Sequence, residues 1–273
     1  MTTKTLLCCV LYVISHVTEA TLTIGAFNIQ RMSRNKIGKV DFLKHVAEIL
    51  LRYDIVSIEE VMDTTACQAV LDEVNRMGGP YNLTISEAMG RTSYKEHLAI
   101  IYRSDKVTLT GAVKYPDPDD DFEREPYSAH FHTTQAYLTD FALMGVHLKP
   151  TDAFAEMNAL VDAYNYTTKV LGTQNFIIAG DYNADCRYLS NKKYHLSNLY
   201  TDDRFDFLVN KTADTTANHN TDCAYDRFVA TGLVKHAVVS ESVLVYNFET
   251  GMHLTYEEAK NISDHYPVEM QLQ

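Results

Sequence analysis

No apolar run in the 273-residue chain reaches the roughly 18 residues that a membrane span needs. Cations are scarce: 24 Lys and Arg stand against 36 Asp and Glu, for a net charge of −12. That excludes a protein holding nucleic acid or an anionic membrane by a basic surface alone. It leaves room for an enzyme that meets phosphate through divalent cations, which invert the local charge logic. With 11 glycines and 6 prolines, the chain is neither collagen-like nor low-complexity. It has no internal repeat, no Pro/Gly/Ser-rich linker, and neither a CxxC nor an HExxH pattern. What is present is 46% hydrophobic and 22% charged, the balance of a globular chain with a sizeable core.

Residues 1–20 read as a secretory signal: Lys4, an apolar stretch from Leu6 to Ile14, and a small-residue cleavage site at Thr18-Glu19-Ala20. The mature chain then begins at Thr21 as one domain, 21–273, and the protein is expected to be secreted. Cys8 and Cys9 leave with the signal. Cys186 and Cys223 flank polar-rich segments, as a loop-stapling disulfide would, contributing about 3–4 kcal/mol in the chain-entropy model. Cys67 lies in a helical pattern and reads as a buried, inert thiol. Glycan acceptor sequons begin at Asn82, Asn165, Asn210 and Asn261.

Strands and helices alternate along the mature chain. Residues 21–27 alternate as a strand, residues 41–53 carry one apolar helix face, and 54–58 is a second strand. A helix over about 63–77 is expected to stop at Gly78-Gly79 through a left-handed residue. Strands follow near 81–86, 97–103, 106–114, 127–132 and 137–147, with the acidic loop Pro116–Asp121 between. A long helix over about 152–170 precedes strands at 175–179, 226–230 and 268–272, and Thr255-x-x-Glu258 is a capping box. The order suits an α+β fold of two stacked sheets with helices outside.

Polar residues gather where apolar strands are expected to stop. Asn28, Glu59 and Glu60, His147, Asp181 and Asn183, Asp226, and Asp264-His265 each sit at such an end. Strand ends within one sheet converge on one edge. Oxygen donors such as Asn28, Glu60 and Asp264 suit Mg²⁺ or Ca²⁺ and not zinc. Two histidines with carboxylates as partners suit acid–base work near neutral pH. Asn183 and an arginine suit a phosphate on which charge builds. Together these are the residue types of metal-assisted phosphodiester cleavage.

Several strings make the pattern recognisable: Ala26-Phe27-Asn28-Ile29, Ser57-Ile58-Glu59-Glu60-Val61, Gly90-Arg91-Thr92-Ser93-Tyr94-Lys95-Glu96, and Arg124-Glu125-Pro126. They continue with Gly180-Asp181-Tyr182-Asn183-Ala184-Asp185-Cys186, Cys223-Ala224-Tyr225-Asp226-Arg227, and Ser263-Asp264-His265-Tyr266-Pro267-Val268-Glu269. Over 21–273 the sequence resembles the deoxyribonuclease I family of the endonuclease/exonuclease/phosphatase superfamily. It looks most like the deoxyribonuclease gamma branch, without that branch's basic tail. The resemblance implies a four-layered αββα sandwich and an endonuclease that cuts DNA to 5′-phosphate ends with Mg²⁺ and Ca²⁺. By position, Asn28, Glu60 and Asp264 resemble the metal cluster, and His147 with Glu96 and His265 with Asp226 the catalytic pairs. Asp181 and Asn183 fall on positions that orient water and phosphate, Tyr94 and Arg124 on positions that contact the DNA backbone. Asp214, Thr216 and Thr221 resemble a calcium loop, and the acidic loop with Glu125 is a second candidate.

Three departures stand out. Val61-Met62 follows Glu60 where deoxyribonuclease I has an arginine, and Gln30 stands where an arginine is usual, with Arg31 adjacent. On the surface that binds actin in deoxyribonuclease I, this chain has Leu83 and Tyr127. Actin binding is therefore not expected, the Tyr127 ring being read as an obstruction. The expected partner is DNA, met by a monomer. Two other readings stay open at this level: a superfamily phosphoesterase acting on a phospholipid or sugar phosphate, and a catalytically inactive secreted binding protein.

Overall fold

Leu22, Ile24 and Ala26 point to one side of the first strand and Phe27 and Ile29 to the other, so the strand needs cover on both faces. A computed structural model describes residues 21–273, and the proposed signal at 1–20 lies outside the described residues. The strands it describes are β1 Leu22–Met32, β2 Ile55–Val61, β3 Tyr81–Ile85, β4 His97–Arg103, β5 Val107–Lys114 and β6 Tyr127–Thr133. They continue with β7 Asp140–His147, β8 Phe176–Asp181, β9 Asp206–Phe207, β10 Asp226–Ala230, β11 Leu244–Val245 and β12 Val268–Leu272.

Two six-stranded sheets result, in the orders β11-β12-β1-β2-β4-β3 and β5-β6-β7-β8-β10-β9. Each is mixed: β1 runs parallel to β2 and β7 parallel to β8, and the other pairs are antiparallel. Between the sheets lie Leu22, Ile24, Leu98, Ile100, Phe131, Phe141, Leu143, Ile177 and Phe228. Helices Phe42–Leu50, Thr64–Gly78 and Tyr256–Ile262 cover the outer face of the first sheet through Val46, Val70 and Ile262. Helix Ala153–Leu171 covers the second through Met157, Leu160 and Tyr164. The molecule is thus the four-layered αββα sandwich expected.

The differences in detail are physical. Strand β1 runs past Phe27 to Met32 through a bulge, with Gln30 and Arg31 at φ 42° and 53°. Strand β2 likewise passes Ile58 through a bulge at Glu60, φ 58°. A bulge breaks the two-residue alternation on which the reading of strand ends relied. Helix Thr64–Gly78 does not end on a left-handed residue, because Gly79 has φ −53° and ψ 175°. Its glycine is needed instead because a Cβ there would collide with the Asn75 amide. The Tyr127 ring is packed between the sheets, 7% exposed, with its hydroxyl against Thr84 Oγ1. It does not project as an obstruction, so the expected loss of actin contact rests on Leu83 and the exposed Asn82 alone. Asn210 and Asn261 are also exposed, whereas Asn165 is half-buried and accepts from Arg204 at 2.7 Å.

Cys186 and Cys223 form a disulfide, Cys67 is buried, and burial pushes its thiol up to about 12. Gly180, φ 137°, lets β8 approach its neighbours: a Cβ would strike the Val146 carbonyl and lie 2.9 Å from Glu59 Oε1. Gly180→Ala should therefore lower unfolding stability by about 2 kcal/mol or more, combining positive-φ strain with a backbone collision. Chemical denaturation checks this, and an unchanged midpoint would refute it.

Candidate active site

Register does most of the assembly. In the second sheet His147 lies opposite Asp181, and Asp181 lies opposite Asp226, so one row across β7, β8 and β10 carries all three. In the first sheet Asn28 lies opposite Glu59 across the parallel β1–β2 pair. Glu96 is fixed beside β4 by its pairing with Met89, and His265 before β12 by its pairing with Thr216. A cleft of about 630 Å³ opens over this row, with Glu60, His147, Asp181, Asn183, Asp264 and His265 in its lining.

The central motif is two imidazole–carboxylate pairs facing one oxygen. His147 Nδ1 is 2.7 Å from Glu96 Oε1, and His265 Nδ1 is 2.8 Å from Asp226 Oδ2. Their Nε2 atoms lie 3.6 and 3.7 Å from the same atom, Asp181 Oδ2. Asn28 Nδ2 donates to that oxygen at 3.2 Å and to Glu60 Oε1 at 3.1 Å, joining the two sheets. Asp181 Oδ1 accepts the Asn183 N–H at 2.9 Å, and Asn183 Nδ2 donates to the Leu148 carbonyl at 3.0 Å.

Burial works against charge on His147, but Glu96 overrides it and leaves the imidazole above its ordinary value. Burial also raises Glu96, and His147 and Arg124 reverse this, so its carboxyl ends below the usual range. Asp226 and Asp181 overcome burial at His265 and hold it well above its ordinary value. Glu59 differs. It is fully buried, accepts from Ser57 Oγ at 2.6 Å, and burial drives its carboxyl well up, reinforced by Asp226 and Asp181. Its surroundings thus favour the neutral form of a carboxyl lying beneath the row.

Arg124, expected on the DNA backbone, is buried beside the first pair. Its Nε donates to the His147 carbonyl at 2.8 Å and lies 2.7 Å from Glu96 Oε1, while Nη2 has no partner among the described residues. Tyr94 stands at the rim, 37% exposed, with the Arg31 guanidinium 5.5 Å from its ring centre. Asp214, Thr216 and Thr221 do come together: Asp214 Oδ1 accepts from Thr216 N and Oγ1 at 3.0 and 2.7 Å, and the two threonine hydroxyls are 2.8 Å apart. Glu125, the second calcium candidate, is committed to Lys114 at 3.0 Å, a cation that competes with any metal there.

The Asn28, Glu60 and Asp264 set fits a hard divalent cation. Glu60 has no Lys or Arg ion-paired to it among the described residues, Asp264 is 49% exposed at its side chain, and Asn28 Oδ1 uses one lone pair on Gln30 N. Two carboxylates and an amide leave positions for water and substrate, as magnesium prefers. No group of three or more Asp, Glu, His or Cys forms a closed metal cage among the described residues.

Two positioning groups escaped the sequence reading. Lys36, buried, donates from Nζ to the Ile29 carbonyl at 2.8 Å and to the Gln30 carbonyl, satisfying the β1 bulge from inside. Burial brings its ammonium down to about 8 against the pull of Asp264 and Glu60. Glu156, also buried, accepts the Glu123 and Lys149 N–H groups, both at 2.9 Å, and so anchors the segments leading to Arg124 and away from His147. A lysine in a four-residue helix and a glutamate in a long one give no sequence signal of these contacts.

The sign of the pH dependence follows from the Glu96–His147 pair. Glu96, lowered, adds stability above about pH 4.5 that is lost as pH falls through its folded value. His147, raised, adds stability below about pH 6.5 that is lost as pH rises through its folded value. Glu96→Gln removes the carboxylate and leaves the burial, so the His147 imidazole pKa should fall below that of wild type. Proton NMR titration checks this; an unmoved His147 resonance would show that Glu96 is not the cause.

The endonuclease/exonuclease/phosphatase family matches residues 25–265. Deoxyribonuclease-1 of Homo sapiens is 38% identical over 260 residues, covering 92% of each chain. Deoxyribonuclease-1-like 2 of Mus musculus is 35% identical over 253 residues, covering 91% of each. Among solved structures, D. rerio TDP2 complexed with single strand DNA product aligns with a TM-score of 0.64 at 15% identity, covering 93% of this chain and 99% of that one. The human Nocturnin catalytic domain aligns with a TM-score of 0.62 at 14% identity, covering 93% and 95%. The structural likenesses speak for the fold, and the sequence likenesses for the lineage: this chain belongs to the deoxyribonuclease I family of endonuclease/exonuclease/phosphatase proteins.

Proposed function

We propose that the protein is a secreted, divalent-metal-dependent endonuclease that hydrolyses phosphodiester bonds of DNA to 5′-phosphate ends. The observation that carries this reading is the pair of imidazoles, each held at Nδ1 by its own carboxylate, whose Nε2 atoms face one aspartate oxygen in the cleft. Acyl or glycosyl transfer needs no such arrangement. In-line displacement at phosphorus needs a base on one side and an acid on the other, which two separated imidazoles supply. Its family relatives carry the name deoxyribonuclease, which supports DNA as the substrate.

One imidazole, neutral at Nε2, takes a proton from the attacking water; the other, charged, gives its proton to the leaving 3′ oxygen as the P–O3′ bond breaks. Glu96 and Asp226 hold the rings and stabilise the charged forms. Arg124 fixes the Glu96–His147 pair from below. Asp181 and Asn183 orient water and phosphate, and Tyr94 meets the DNA backbone at the rim. Asn28, Glu60 and Asp264 would hold Mg²⁺, which supplies positive charge to the phosphate as negative charge builds on it. Asp214, Thr216 and Thr221 would hold Ca²⁺ as a structural ion, on a loop with little core of its own.

Plasmid cleavage with Mg²⁺ and Ca²⁺, with and without chelator, tests the reading directly. Cleavage should vanish in chelator, and His147→Ala or His265→Ala should lower the rate by at least about 10²-fold. Near wild-type turnover in either folded variant would refute the two-histidine mechanism. For the calcium loop, limited proteolysis should run faster in EDTA than in calcium, since binding to the folded state alone stabilises it. Equal protease half-lives would remove the structural ion.

A further inference from the structure

The cleft is acidic and the substrate is a polyanion, so the cations that face the substrate decide how tightly it is held. Among the described residues that line the cleft, Arg187 is the one lysine or arginine. The two positions where relatives' arginines were expected hold Gln30 and Met62. Arg187 is exposed and follows Cys186, whose left-handed backbone, φ 49°, and disulfide to Cys223 tie this loop to the segment leading into Asp226.

A ladder of rings supports it. The guanidinium lies 4.7 Å from the Tyr188 ring centre and donates to the Tyr188 hydroxyl at 2.6 Å. Tyr188 packs against Tyr225 at 5.5 Å between centroids, and Tyr225 lies 6.2 Å from the His265 ring. Arg187 is therefore the outer end of a chain of tilted ring contacts whose inner end is one of the two imidazoles. One of its N–H donors serves Tyr188, and the planar fork keeps others for a bidentate contact.

We propose that Arg187 is a substrate-binding residue that grips a DNA backbone phosphate next to the one being cleaved, fixed in place by the Cys186–Cys223 disulfide. This rests on the reading of the chain as a DNA endonuclease. The contact is an exposed, charge-assisted one to a phosphate that takes no part in bond breaking. It should contribute to binding in the ground state and the transition state alike, and so act on KM and not on kcat.

The test uses the full, disulfide-bonded chain and plasmid DNA at fixed Mg²⁺ and Ca²⁺, with sodium chloride varied from about 50 to about 200 mM. Arg187→Gln should raise KM about fivefold with kcat little changed, and make the fall of log kcat/KM with log salt shallower by about 0.9, the signature of one lost phosphate contact. Arg187→Lys should restore the salt slope through its charge, but only part of the KM, because it lacks the fork. Hydrolysis of a small chromogenic phosphodiester should be the same in all three proteins. Wild-type KM and slope in Arg187→Gln overturn the assignment, as does a matching loss on the small diester, which would mark a structural role. If the wild type cuts the small diester but not the plasmid, the DNA reading itself fails and this assignment falls with it.

Discussion

Asp181 Oδ2 is the point on which the site depends. It is reached by His147 Nε2, His265 Nε2 and Asn28 Nδ2, three groups from three separate strands or strand approaches in both sheets. A side chain on a surface loop would not hold three such partners. Asp181 does so because it ends β8, flanked in register by His147 on one side and Asp226 on the other. Sheet hydrogen bonding, whose geometry is rigid, thereby sets distances between groups 34 or more residues apart in sequence. Gly180 is the concession this requires: the strand comes so close to Val146 and Glu59 that no side chain fits one residue before the aspartate.

The first sheet contributes by the opposite device. Where β7, β8 and β10 stay regular, β1 and β2 bulge: plain alternation after Leu22, Ile24 and Ala26 turns Asn28 inward, and the β2 bulge at Glu60 brings that carboxylate to Asn28 Nδ2 and the cleft. Backbone at φ 42° to 58° in non-glycine residues is strained and needs support. Lys36 gives it to β1 through the Ile29 and Gln30 carbonyls, and Glu60 gives it through Oε2, which accepts the Arg31 N–H at 2.9 Å. A candidate metal ligand on β2 thus also braces the bulge of β1.

Legibility in the sequence follows the range of the interactions involved. β10 and β12 begin and end where alternation and apolar runs placed them, at 226–230 and 268–272, and helix Ala153–Leu171 lies within a residue of its expected ends. The layers were legible too, because every sheet face had to be covered. The identity of the polar residues at the cleft came from strings that resemble a known family. Alternation alone would have stopped β1 at Phe27 and β2 at Ile58, since a bulge reverses the facing of the residues after it. Arg124 shows the limit of local reading: nothing in its own segment signals its contacts to Glu96 and the His147 carbonyl. Lys36 and Glu156 were illegible for the same reason, since each is defined by contacts that only the fold creates.

Charge then explains how such a site exists in so acidic a protein. Glu59, Glu96, Asp181 and Asp226 are all buried around one row, and four uncompensated carboxylates there would be prohibitive. Burial favours the neutral form of Glu59, and Arg124 with the two imidazoles, whose charged forms their carboxylate partners favour, faces Glu96, Asp181 and Asp226. Each buried carboxylate of the row thus has a partner within the protein. Glu60 and Asp264 differ: both line the cleft, are partly exposed, and have no lysine or arginine ion-paired to them among the described residues. That separation places the demand for a cation at the surface the phosphate approaches, above the acid–base row.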